Sequence, residues 1–359
     1  MCYNLKGDAM KRNMNIDIIK IVAVLSVISV HFFKNNYFYA TVMHGKRYYF
    51  FTLAQHIFMM CVPLFLMATG FLMTKKEKID KEYIKKLFIR IYIPYLIISF
   101  ITLLFEKYYL HVEDNLIMHV FKILDFTQVS YAWYVGMYMG LYLLIPFINK
   151  LLSKLTKKEF CIYLIILFIL GPLTSIRIPY HGKLHIIFLE YFYPLWIINY
   201  YSIGYFFKKY GLQIKILPNL LLFLILPFLS YYHYFLSIHY NNRVFYYFNF
   251  NNWGGLIPFA ISVPVFIFLI NRTINIKSKI LGKVIKHISS LTLYIYLFSY
   301  IFDKIIYKHI PSGINNNYYY FPIIVISVFI LSYISSTILD FIYNKCIYLI
   351  RNIKTKDVN

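Results

Sequence analysis

The chain has 359 residues, 60% of them hydrophobic, 21% aromatic and only 14% charged, with a mean hydropathy of +0.61. A soluble globule averages about 45–50% apolar and about 25% charged residues, so this composition excludes an ordinary soluble domain and points to a membrane bundle. The net charge of +23 would suggest a nucleic-acid partner on a soluble protein. Here the basic residues fall in short clusters between apolar runs, the pattern of membrane-flanking loops and not of a nucleic-acid footprint.

A membrane helix needs about 20 mostly apolar residues. In chain order, such spans are expected near 16–34, 52–73, 87–106, 130–149, 160–176, 184–207, 216–235, 254–271, 285–302 and 320–343. The expected fold is therefore an all-α polytopic bundle of about ten transmembrane helices. Gly171-Pro172 and Pro194 interrupt the fifth and sixth spans, which membrane helices tolerate when neighbours satisfy the freed backbone.

Of the 37 Lys and Arg residues, 26 lie before the first span and in every second segment after it, 10 lie in the alternate loops, and Lys20 sits inside the first span. The positive-inside rule then places both termini in the cytoplasm. Residues 1–350 read as one membrane domain and 351–359 as a short basic cytoplasmic tail. The first apolar run has no small-residue cleavage site after it and reads as a retained anchor. Met10 and Met14 are alternative starts, since residues 1–9 look unrelated to the rest of the chain.

Cys2, Cys61, Cys161 and Cys346 are scattered, with no C-x-x-C, so neither a disulfide framework nor a metal site is expected. H-E-x-x-H, Walker A and G-x-G-x-x-G are absent from the sequence. Loops near 35–51, 107–129, 236–253 and 303–319 are rich in Tyr, Asn and His. They read either as polar connectors or as a lid that meets a polar substrate.

The first span, Asn15 to Phe33, holds Asp17, Lys20 and His31. At about 100° and 1.5 Å per residue, Asp17 and Lys20 are neighbours, and His31 lies roughly 16 Å further along the same stripe. Intramembrane ionisable groups are costly and face a bundle interior or a wet cavity. The stripe has two readings: a snorkelling pair with a helix-end His, or one polar path joining the two membrane faces. In the second, His31 is the general base that a hydroxyl or thioester reaction needs.

Other polar positions also allow two readings. Glu190 either satisfies the helix break at Pro194 or lines a cavity. Asp303 closes the ninth span and faces water. Thr69 and the Gly136-x-x-x-Gly140 pair read as helix packing. Trp133 and Trp253 read as interface anchors or as substrate platforms.

The pattern Asp17, Lys20, Ala23, His31 resembles the first span of the integral-membrane acyltransferases of the "acyltransferase 3" group, where an Arg or Lys precedes His by the same spacing. V-P-L-F-L-M-A-T-G-F-L-M (Val62 to Met73) is similar to the family's run closing in Ser/Thr-Gly-aromatic. K-K-L-F-I-R-I-Y-I-P-Y is similar to its basic segment before a Pro-Tyr helix start. A-W-Y-V-G-M-Y-M-G-L-Y-L-L-I-P (Ala132 to Pro146) and S-S-L-T-L-Y-I-Y-L-F (Ser289 to Phe298) look like its fourth-span entry and its late Ser…Tyr-Leu span. The resemblance runs from residue 17 to about 300. Two positions depart from it: Ser299 stands where His is common, and Leu87 precedes Arg90 where a second Arg is common, with Lys86 one residue off.

The resemblance implies a bacterial cytoplasmic-membrane O-acyltransferase. Its donor would be acyl-CoA, by default acetyl-CoA, and its acceptor a hydroxyl of a cell-surface glycan or exopolysaccharide. His31 would be the base, Lys20 and Asp17 its catalytic companions, and Arg90 and Lys86 the donor-binding cations. Glu190, Trp133 and Tyr134 would face the substrate. Membrane lipid and other polysaccharide-biosynthesis proteins would be partners, with no metal and no nucleic acid. A transporter or flippase of a polar or lipid-linked substrate is the competing reading, because many spans, broken helices and a polar stripe suit it as well. Related membrane domains fused to racemases suggest uptake, and no such domain is evident here.

Overall fold

The computed structural model describes residues 12–113, 115–211, 216–272, 274 and 276–356. The alternative start at Met10 and the end of the basic tail, 357–359, fall outside them. Helix α1 (Met14–Asn35) begins where the Asn13 side chain accepts hydrogen bonds from the amides of Asn15 and Ile16, at 2.9 and 3.4 Å, a standard way to satisfy the first free N–H groups. It ends at Asn36, before Tyr37 turns into the left-handed region at φ 56°.

Helices α2 (Lys46–Phe58) and α3 (Cys61–Leu72) form one long span, and α4 (Lys81–Leu87) leads through a π-helical turn, Phe88–Tyr92, into α5 (Ile93–Tyr108). The turn has a sequence cause. Pro94 has no N–H to give the Arg90 carbonyl, and the Ile93 amide instead reaches back five residues to Phe88. The short α6 (Leu116–Leu124) precedes α7 (Trp133–Lys154). Helix α8 (Lys157–Leu170) starts in a reciprocal Thr156–Glu159 capping box and stops at Gly171-Pro172.

The expected sixth span is different in the structure. Strands β1 (Arg177–Tyr180) and β2 (Lys183–Ile186) pair as an antiparallel hairpin, followed by a 3-10 segment, Glu190–Leu195, and only then by α9 (Trp196–Tyr210). His181 and Gly182 both have positive φ, 46° and 73°, the combination a two-residue hairpin turn requires. Pro194 then delays the α-helix. Hydropathy averaged over 184–207 hides this break.

The chain continues through α10 (Ile216–Tyr240), α11 (Leu256–Ile270), α12 (Lys279–Ser290), α13 (Thr292–Lys308), the single turn α14 (Ile314–Asn317) and α15 (Phe321–Lys356). Among the described residues, six helical segments are long and apolar enough to cross a membrane, or seven if α12 and α13 count as one span. Those two are bent by 71° at Leu291, so the expected ninth span is not a continuous rod.

Helix α1 lies at the centre, packed against α2, α3, α11, α12, α13 and α15. Its most apolar stretch is 72% buried, against 28% for α15, which lines the periphery. Helices α3 and α9 cross at backbone contact: a Cβ on Gly70 would lie 1.9 Å from the Tyr201 carbonyl oxygen, and one on Gly204 would lie 1.9 Å from that of Met67. Gly70 thus packs as its small size suggests. Gly136 meets only the Phe126 ring and Gly140 has open space, so the predicted Gly-x-x-x-Gly packing face is not used as a helix contact.

Candidate active site

A cavity of about 550 Å³ lies beside α1, within the roughly 300–1,000 Å³ typical of ligand sites. Lys20 and Val27 from α1 form one wall, and α3 gives Val62, Phe65, Ala68, Thr69 and Leu72. Tyr134, Tyr138 and Tyr142 enter from α7 at successive helical turns, with Tyr296 from α13 opposite. One end is cationic, where Lys20, Lys76, Lys86 and Arg90 meet. The rest is aromatic and apolar apart from Thr69, Ser290 and Thr292. Thr69, expected only to pack, faces this space, and its hydroxyl donates to the Phe65 carbonyl at 2.8 Å.

Lys86 and Arg90 reach the same cavity from α4 and the π-helical turn. Leu87, at the departure from the family pattern, is buried as core. Ser299, the other departure, is buried, and its hydroxyl returns to the Tyr296 carbonyl at 2.7 Å.

Lys20 is fixed by one bond, from Nζ to the Ser289 carbonyl at 2.6 Å. The expected direct pairing of Asp17 with Lys20 is not made. Ser289 stands between them instead, its hydroxyl donating to Asp17 Oδ1 at 2.6 Å. Arg12 clamps the same carboxylate at 2.8 and 3.0 Å and also donates to the Lys286 carbonyl at 2.6 Å. Asp17 is thus a tie between the start of α1 and the end of α12, and its charge is answered by Arg12.

His31 lies one helical turn beyond Val27, about 6 Å along the axis. Its ring stacks on Tyr131, with centroids 3.4 Å apart and planes at 25°. Nδ1 is 3.7 Å from Asp303 Oδ2. Tyr131 donates its hydroxyl to the same Oδ2 at 2.8 Å and accepts from Asn35 Nδ2 at 3.3 Å. His31 Nδ1 and Asp303 Oδ1 are both buried without a hydrogen-bond partner. Buried polar atoms rarely stay unpaired. The imidazole and the carboxylate stand 3.7 Å apart at Nδ1 and Oδ2, just beyond hydrogen-bond reach.

Asp303 therefore does not face water as expected: it is 1% exposed and backs the imidazole. A second buried carboxylate lies further along. Tyr131 meets the Tyr300 ring edge-on at 5.3 Å. Tyr300 donates to Glu106 Oε1 at 2.7 Å, and Gln128 donates to Glu106 Oε2 at 2.7 Å. Sequence reading misses Asp303, Tyr131 and Glu106. Each lies at the end of an apolar span, where an acid or Tyr reads as an interface residue.

The remaining expected site residues divide. Tyr134 lines the cavity. Trp133 does not; it stacks on Trp253 at 5.7 Å and 23° and is 38% exposed. Glu190 also lies off the cavity. It pairs with Arg177 and accepts from Asn249 Nδ2 at 2.7 Å, which ties the base of the hairpin to the loop before α11. Among the described residues no cluster of His, Cys, Asp and Glu is arranged to hold a metal ion.

Several long apolar helices around a buried polar axis, with a cavity that carries four cations and a row of tyrosines, define a multi-pass membrane protein. The chain matches the model of the acyltransferase domain of the "acyltransferase 3" group over residues 13–337 and belongs to that family. It is a membrane acyltransferase. Nothing among curated proteins or solved structures matches it.

Proposed function

We propose that this protein takes an acyl group, acetyl by preference, from acyl-CoA and transfers it to a hydroxyl of a surface glycan or exopolysaccharide at the bacterial cytoplasmic membrane. In this reading the molecule has ten spans with both termini in the cytoplasm. The supporting observation is the cavity along α1, cationic at Lys20, Lys76, Lys86 and Arg90; His31 is not part of its lining but sits one helical turn beyond Val27, which is. The cations match the phosphates of a CoA donor, which charge-assisted hydrogen bonds hold well. The aromatic remainder suits an extended, mostly uncharged arm that carries the thioester toward His31.

The chemistry rests on His31. Its free ring nitrogen takes the proton of the acceptor hydroxyl as the oxygen attacks the thioester carbonyl. The new C–O bond forms, the C–S bond breaks, and the imidazolium returns the proton to the departing sulfur. Asp303, held by Tyr131, would accept from Nδ1–H once the 3.7 Å separation shortens, and so would orient the ring. That arrangement leaves Nε2 as the base.

Membranes holding the protein, supplied with radiolabelled acetyl-CoA, should put alkali-labile label into extracted glycan, and His31→Ala membranes should not. Equal label in both overturns His31 as the base. With folded protein and no label from acetyl-CoA or succinyl-CoA, the transporter reading replaces this one.

A further inference from the structure

We infer that α12 lies in the membrane surface on the side of the cationic cavity end, where it binds anionic phospholipid headgroups. The 12-residue helix reads K-I-L-G-K-V-I-K-H-I-S-S. At 100° per residue its side chains separate into two faces. Ile280, Leu281, Val284, Ile285 and Ile288 share one side, and Lys279, Lys283 and Lys286 share the other. Of the apolar set, Ile288 packs against the core, whereas Ile280, Leu281 and Val284 are 77%, 51% and 41% exposed. An apolar edge beside three lysines is what an interfacial helix presents to acyl chains and headgroup phosphates.

The geometry agrees. Helix α12 leaves α13 at 71°. The 17 residues of α13 already rise about 25 Å, close to a hydrocarbon core of about 30 Å. α12 is thus not needed to complete the span. Three lysines in twelve residues would also be costly inside that core. Its C-terminal end meets the start of α1 through Lys286–Arg12, Ser289–Asp17 and Ser289–Lys20, and Ser290 lines the cavity. The lipid surface and the cationic cavity are therefore joined by one short helix.

The test uses the full protein in vesicles, with Cys2, Cys161 and Cys346 replaced by Ser and a nitroxide on Leu281→Cys, Lys283→Cys or Val284→Cys. Oxygen and a water-soluble nickel chelate report depth. The labels at 281 and 284 should lie at one shallow depth in the acyl boundary, and that at 283 in the aqueous layer. Adding phosphatidylglycerol to phosphatidylcholine vesicles should further shield 281 from nickel, and the triple change Lys279→Gln, Lys283→Gln, Lys286→Gln with the 281 label should remove that response. Depth that increases steadily along the helix overturns the proposal in favour of a membrane span. All three positions open to nickel, or a response indifferent to the anionic lipid or to the lysines, overturns it as well. None of these readouts depends on catalytic activity, so they stand apart from the acyl-transfer assay.

Discussion

His31 and Asp303 meet in a pocket where neither has a full set of hydrogen bonds. If Asp303 orients the imidazole, Asp303→Asn should lower kcat by about 10²-fold while leaving the KM for the donor nearly unchanged, within the 10²–10⁴-fold that general base catalysis contributes. His31→Ala should lose the full catalytic term. Steady-state kinetics in proteoliposomes check both, and a matching fall for Asp303→Asn in donor binding would assign that residue a structural role only. Arg90→Gln and Lys86→Gln should instead raise the KM for acyl-CoA, by roughly 10-fold or more each, if every lost charge-assisted bond contributes about 1.5–3 kcal/mol. An acyl-pantetheine donor lacking the nucleotide phosphates should show little of that loss. The place of Lys20 on the cavity wall is legible from sequence, because a charged side chain inside an apolar run faces a bundle interior or a wet cavity. Asp303 is not, because its partner comes from the opposite end of the chain and nothing local distinguishes it from an interfacial acid.

Elements show where hydropathy stops being informative. The spans at 16–34, 52–73 and 130–149 correspond to real helices, since each is a continuous apolar run. The stretch 184–207 averages apolar yet contains the end of a hairpin, a 3-10 segment and a helix start. Its local signals, His181-Gly182 and Pro194, carry the break. The ninth span is bent for a related reason: a basic amphipathic helix abuts an apolar one at 71°, and a sliding window merges them. The α3–α9 crossing gives a stability prediction at this scale. Gly204→Ala places a methyl 1.9 Å from a backbone oxygen, which forces the helices apart. Overpacking costs of about 1–3 kcal/mol are usual, and a rigid backbone neighbour puts this site at the upper end. Thermal unfolding in detergent should show a clearly lowered midpoint, whereas Gly140→Ala, with open space around it, should leave the midpoint in place.

For the whole molecule, the proposed orientation predicts which loops meet which compartment. In that orientation Lys78, between α3 and α4, faces the cytoplasm, and the β1–β2 hairpin faces the outside. In intact cells a membrane-impermeant thiol reagent should modify Lys183→Cys and should reach Lys78→Cys only after permeabilisation. The reverse pattern inverts the topology and with it the source of the donor. Charge bias between loops is a global property that the sequence states directly, and this labelling tests the orientation it implies. The exact path of the chain through the bilayer depends on bends such as that at Leu291, which composition does not encode.

The glycine contact between α3 and α9 also bears on motion. With backbone against backbone at Gly70 and Gly204, those two helices have no side-chain layer to shear at the crossing. α3 supplies one wall of the cavity, and the tyrosines of α7 and α13 supply the other. If the cavity widens around its occupant, the close α3–α9 crossing makes α3 the fixed wall and leaves α7, with open space beside Gly140 and a proline at 146 inside its helix, as the wall with room to move.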